Sequence, residues 1–148
     1  MTEVDLDRFV AAQDRGGTYE RALAELRAGR KASHWMWFVF PQIEGLGRSP
    51  TAQAYEISSL QEARAYLGHP VLGSRLRECA DALLGLDCGD PVAVMGPVDA
   101  LKLRSSMTLF ARADPDDDRF PSVLRKFYGG EEDEATLARL PFPSNSDG

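Results

Sequence analysis

The stretch "HWMWFVF", His34 to Phe40, decides the fold class. It is the most apolar and most aromatic run in the chain, and aromatic residues with Val favour strands. It is also the only serious strand candidate. Every segment around it reads at helical spacing, so a single strand would have nothing to pair with. The run therefore reads as helix and the fold class as all-α. In a helix, His34, Trp37 and Phe38 share one side, and Trp35, Phe38 and Val39 an adjoining one. Apolar groups then surround the segment, which makes much of it core. Each buried aromatic contributes roughly 1.5–3 kcal/mol, and two indole N–H groups and one imidazole need hydrogen-bond partners.

On the N-terminal side, "VDLDRFVAAQ" (residues 4–13) places Leu6, Phe9, Val10 and Gln13 on one helix face before "DRGG" interrupts it. "TYERALAELRAGR" (18–30) resumes with Tyr19, Ala22, Leu23 and Leu26, and Gly29 is a natural stop. On the C-terminal side, "EGLGRSP" (44–50) is a loop. Ser49 before Pro50 has the form of an N-cap and first helical position, so "PTAQAYEI" (50–57) begins a helix. "SLQE" (59–62) is a capping box for "LQEARAYL", and His69 caps "PVLGSRLRECADALLGL" (70–86). "GDP" (89–91) opens a short helical turn and "PVDALKLRSSMTLFARA" (97–113) a long helix. "DRFPSVLRKFYGG" (118–130) stops at Gly129-Gly130, and "DEATLARL" (133–140) closes the series. The expectation is one compact domain of about six to eight helices over residues 1–140, with 141–148 as a tail.

Composition bounds the function. Of the 148 residues, 43% are hydrophobic and 27% charged, a soluble globular balance. No apolar run approaches the roughly 20 residues that span a bilayer. The acidic, amphipathic start is no secretion signal. These features predict a cytoplasmic protein without a membrane partner. Cys79 and Cys88 fit reduced thiols in that compartment, and the two Cys and two His lack metal-ligand spacing, so no metal is expected. A net charge of −6 argues against a nucleic-acid partner. The acid collects in Asp114–Asp118 and Glu131–Glu134, read as solvated loops and helix starts. Asp114–Asp118 lacks the Gly and terminal Glu of an EF-hand loop.

Four blocks, "DRFVAAQ", "YERALAELRAGRKASHWMWFVFPQIEGLGRSPTAQAYEI", "EARAYLGHPVLGSRLREC" and "DALKLRSSMTLFARA", are similar to a bacterial family known as domain of unknown function 1810. "HWMWFVFPQ" and "KLRSSMTLF" are its most distinctive parts. The resemblance extends to about Leu140. It implies a single all-helical domain with one central helix surrounded by others, and it implies no activity. Some members carry a calpastatin-like label. The apolar periodicity here argues for a compact fold rather than a disordered protease inhibitor.

Two blocks hold the candidate site. From Arg27 to Arg48, both included, there are four basic residues and one acid, inside an acidic protein. Arg30 and Lys31 precede the aromatic run, Gln42 ends it, and Arg48 and Ser49 follow two glycines into a helix start. Free N–H groups and the helix dipole favour anions there. Trp35 or Trp37 can stack on a flat ligand, Tyr55 can add a hydroxyl, and His34 suits acid–base work near neutral pH. The loop lacks the ending of a Walker A motif and the third glycine and preceding strand of a dinucleotide fingerprint. No cofactor is therefore expected.

In "DALKLRSSMTLF" (99–110), Asp99, Lys102 and Ser106 follow one another on one helix face, while Leu101, Ser105, Thr108 and Leu109 form an inward stripe. Lys102 can pair with Asp99, or can bind an anion with Ser105 and Ser106. Ser106 as a nucleophile would need an activating neighbour. The spacing to Lys102 is the reverse of Ser-x-x-Lys.

Two function classes follow. One is a domain binding a small anionic, nucleotide- or phosphate-containing molecule, with or without catalysis by His34 or Ser106. The other is a non-catalytic helical module whose acidic face recruits a protein partner, with the aromatic run as core only.

Overall fold

The computed structural model describes residues 5–140, so the expected 141–148 tail lies outside the described residues. Helix α1 (Asp7–Asp14) buries Phe9, Ala12 and Gln13. A 3-10 turn, Arg15–Gly17, reverses the chain through Gly16 and Gly17, both at positive φ. Helix α2 (Thr18–Ala28) ends on left-handed Gly29. There Gly29 N–H bonds to Leu26 and Arg30 N–H to Glu25, satisfying the last carbonyls as a Schellman motif does.

The aromatic run departs from the helical expectation. Only Met36–Val39 is helical, one turn that we call α3. Phe40 precedes Pro41, and the proline ring disfavours the helical region for the residue before it. Trp35, Met36, Val39 and Phe40 are buried, while Trp37 and Phe38 are half-buried. Beyond Pro41 a lone parallel bridge joins Ile43 to Ile57, with Ile57 N–H on Gln42 and Glu44 N–H on Ile57. No strand forms among the described residues, and the chain is mostly helical.

The remaining helices start largely where their capping residues predict. They are α4 (Pro50–Ala54), α5 (Leu60–Gly68), α6 (Leu72–Leu84), α7 (Pro91–Met95), α8 (Pro97–Ala113), α9 (Arg119–Tyr128) and α10 (Glu134–Ala138). Ser49, Ser59, Asp90 and Asp133 cap α4, α5, α7 and α10 with side-chain oxygens. His69 Nδ1 accepts from Val71 and Leu72 N–H at the start of α6. The segments outnumber the six to eight expected, because α3, α4, α7 and α10 are single turns separated by Pro, Gly or Asp.

Helix α8 packs against α5, α7, α9 and α10, and α6 against α2, α5 and α9. One apolar cluster joins them, with Phe9, Trp35, Phe40, Tyr66, Phe110 and Phe120 among its largest fully buried side chains. Leu101 is the exception to the predicted inward stripe of α8. It is 65% exposed while Ala100 and Leu103 on either side of it are buried, so the first turns of α8 bury a different side of the helix. No described helix is long and apolar enough to cross a membrane.

Candidate functional site

The segment after α2 folds around a carboxylate. Glu25 Oε1 accepts from Ala32 N–H (2.8 Å), Ser33 N–H (3.1 Å) and the Trp35 indole (2.8 Å), and Oε2 accepts from the Ser33 hydroxyl (2.6 Å). Burial alone would raise its pKa, but the Ser33 hydroxyl, Ala32, Trp35 and Ser33 N–H groups outweigh it and hold the carboxyl down at about 2. Trp35 is thus core, fully enclosed with its indole satisfied. It offers no face to a ligand, which corrects the stacking role expected of it.

Lys31 is fixed in the same way. Its N–H bonds to the Val94 carbonyl (2.7 Å), tying the loop to α7. Its ammonium reaches Asp99 Oδ2 (2.9 Å) and the Ser33 carbonyl (2.5 Å), and lies 4.8 Å over the Trp35 ring. With only 8% of the side chain exposed, Lys31 is a saturated structural cation.

Lys102, one turn after Asp99, is different. Its ammonium is 3.9 Å from Asp99 Oδ1, beyond hydrogen-bond length, and lies 5.7 Å over the ring of half-buried Trp37. Two lysines, each above a tryptophan, therefore share one carboxylate. The nearer is spent, and the farther keeps its donors.

Ser106 lies one turn beyond Lys102 and is fully buried, and its hydroxyl has no hydrogen-bond partner. Another turn on, the Phe110 ring packs 5.3 Å from Tyr66, whose hydroxyl reaches the Phe38 carbonyl (3.4 Å). The face carrying Asp99, Lys102, Ser106 and Phe110 thus runs along the segment from Lys31 to Phe38. Neither Lys102 nor His34 bonds to the Ser106 hydroxyl.

Other predicted residues have separate duties. The Ser105 hydroxyl donates to Asp133 Oδ2 (3.0 Å), the N-cap oxygen of α10. Ser49 Oγ is occupied by Ala52 N–H (3.1 Å). The glycine loop, read as an anion cradle, holds an anion of its own: Gly45 and Gly47 N–H both donate to Glu56 Oε2, at 3.1 and 3.2 Å. Tyr55 packs on Phe9 and Phe38. Gln42 joins the Ile43–Ile57 bridge through its backbone. Arg30, His34 and Arg48 are exposed, and none has a side-chain hydrogen bond or ion pair among the described residues.

Glu25 and Glu56 are the groups that sequence reasoning missed. The only signal was a carboxylate within about ten residues of a turn rich in unpaired N–H groups.

Two surface grooves, of about 520 and 260 Å³, lie elsewhere, along the Asp114–Asp118 loop and between Arg64 and Arg77. Asp117 is held by Arg77 (3.0 Å) and Arg119 (3.3 Å), and Asp118 by Ser122 (2.8 Å) and Arg125 (3.1 Å).

The family described as "Protein of unknown function (DUF1810)" matches residues 3–140. The chain belongs to that family. In structure, the DUF1810 chain is similar to the conserved hypothetical protein Rv1873 from Mycobacterium tuberculosis. The two share 54% identity over 92% of this chain and 96% of that one, with a TM-score of 0.88. No curated protein matches the chain. Neither the family nor Rv1873 is described by a reaction or a ligand.

Proposed function

We propose that this protein binds a small anionic group, a phosphate or carboxylate on a molecule such as a nucleotide, at the surface formed by Lys102 and Trp37. The observation that carries the reading is the Lys102 ammonium, with no hydrogen-bond acceptor in reach among the described residues and its nearest carboxylate at 3.9 Å. A partly exposed pair at that separation is worth about 0–1 kcal/mol, so an incoming anion displaces little. Lys31 cancels the charge of Asp99 and leaves Lys102 its own. Half-buried Trp37, beneath the ammonium, is suited to be the apolar wall of the site, whereas Ser106, fully enclosed one turn along the same face, stays out of a ligand's reach. Exposed Arg30 adds positive charge and exposed His34 its ring nitrogens from the adjoining loop.

The reading is one of binding: the Ser106 hydroxyl lacks the base that a nucleophile requires. The alternative, an acidic face recruiting a basic partner, has less support because arginines already hold Asp117, Asp118 and Glu132.

A thermal-shift series with phosphate, pyrophosphate, AMP and citrate tests the reading. A true ligand stabilises by about 2.7 kcal/mol at a hundredfold excess over its Kd. The Lys102→Ala variant is expected to lose that gain while melting normally without ligand. Arg48→Ala is expected to keep it. Equal stabilisation of wild type and Lys102→Ala would remove Lys102 from any anion site.

A further inference from the structure

Among the described residues, the exposed large hydrophobic side chains are Val92, Val98 and Leu101, at 49%, 64% and 65%. All three fall at one corner, where α7 turns through Gly96 into α8. Val98 and Leu101 are three residues apart and so neighbours on one face of α8. Isolated surface aliphatics need no explanation, but a cluster gathered at one corner does.

The charges around this corner are unequal in availability. Asp90 is engaged by Val92 and Ala93 N–H as the cap of α7, and Asp99 by Lys31 at 2.9 Å. Asp87 precedes α7 by four residues and follows Leu86, whose carbonyl the Lys126 ammonium holds. The cations are less committed. Lys102 follows Leu101 directly and has no hydrogen bond among the described residues. Exposed Arg30 is brought alongside α7 by the bond from Lys31 N–H to Val94. The charged side chain that directly adjoins Leu101 is therefore a cation with free donors, Lys102.

Three aliphatic side chains fall well short of the roughly 800 Å² per partner that a stable dimer buries. That argues against a second copy of this chain and for a short segment held by a few anchors.

We propose that the α7–α8 corner docks a short protein segment that carries aliphatic anchors for Val92, Val98 and Leu101 and an acidic side chain for Lys102 and Arg30. The acidic half of this proposal rests on the anion reading of Lys102 and specifies its source as a peptide carboxylate. The apolar half stands on the exposed cluster alone.

The test is a displayed library of random peptides of about 16 residues, long enough for about four helical turns. It is selected on the wild-type chain and counter-selected on Val98→Asp/Leu101→Asp, whose exposed positions leave the melting temperature unchanged. Expected winners combine Leu, Ile or Val with Asp or Glu. As synthetic peptides they bind the double variant at least about tenfold more weakly, the loss typical of a removed anchor, and Lys102→Ala more weakly as well. Replacing their acids with Asn or Gln has a similar effect. Absence of such winners, or winners that bind the double variant equally well, overturns the docking proposal, even if phosphate still protects the wild type through Lys102. Winners that lose affinity on the double variant but are indifferent to Lys102 and to their own acids overturn the charge pairing alone. If phosphate protection is also absent, the anion reading fails with it.

Discussion

Glu25 shows how much one side chain organises here. Four donors from residues 32–35 converge on it, and they fix both the path of the loop and the burial of Trp35. Glu25→Gln removes the charge and leaves at least one donor poorly satisfied. The expected loss is about 1–2 kcal/mol of unfolding free energy at neutral pH, allowing for partial exposure. The folded pKa, about 2, lies below the ordinary 4.5, so the folded state binds fewer protons between those values. The Glu25 contribution is therefore complete above about pH 4.5 and fades toward pH 2. Urea titrations of both proteins should show a stability gap that is constant above pH 4.5 and narrows below it; a gap independent of pH would contradict this account. The cysteines give a second test. Burial pushes the Cys79 thiol up to about 12, while Cys88 is exposed. A thiol reagent should modify one cysteine in the native protein and the second only on unfolding.

Among the elements, the α5–α6 corner is the tightest junction. A Cβ added at Gly73 would lie 2.1 Å from the Leu67 carbonyl oxygen, and that carbonyl belongs to backbone that cannot swing aside. Gly73→Ala is expected to destabilise by about 1–3 kcal/mol, as overpacking does, measured as a lower melting temperature without loss of helicity. At the other end of α6 the Lys126 ammonium donates to the carbonyls of Leu83, Leu84 and Leu86. Lys126→Met removes a cation from a helix C-terminus and should cost about 1–2 kcal/mol. These junctions also mark what the sequence could reveal. Ser49, Ser59 and His69 were legible as caps because capping is a rule of three or four neighbouring residues. The bond from Ser105 to Asp133 spans 28 positions and leaves no local pattern. The aromatic run reads as a full helix because no other segment offers a strand to pair with it, whereas Pro41 and the partners of each ring reduce it to one turn.

At the scale of the molecule, α8 carries three kinds of surface. Its inner face builds the core with Leu103, Met107 and Phe110, an intermediate face presents Asp99 and Lys102 and runs inward to buried Ser106, and its exposed start presents Val98 and Leu101. The sequence identified Asp99, Lys102 and Ser106 as one face, because helical spacing alone dictates it. It could not distinguish Lys31 from Lys102, or Trp35 from Trp37, since the difference lies in which partners the fold brings to each. That difference also supplies the most direct test of the anion site. The chain has two tryptophans: Trp35, sealed against Glu25, and Trp37, beneath Lys102. In a two-dimensional NMR titration with pyrophosphate, the indole N–H resonance of Trp37 should move in a saturable way while that of Trp35 stays in place. Lys102→Ala should abolish the movement. A Trp37 resonance that does not move, or shifts confined to the acidic groove at Asp114–Asp118, would contradict the assignment of anion binding to Lys102 and Trp37.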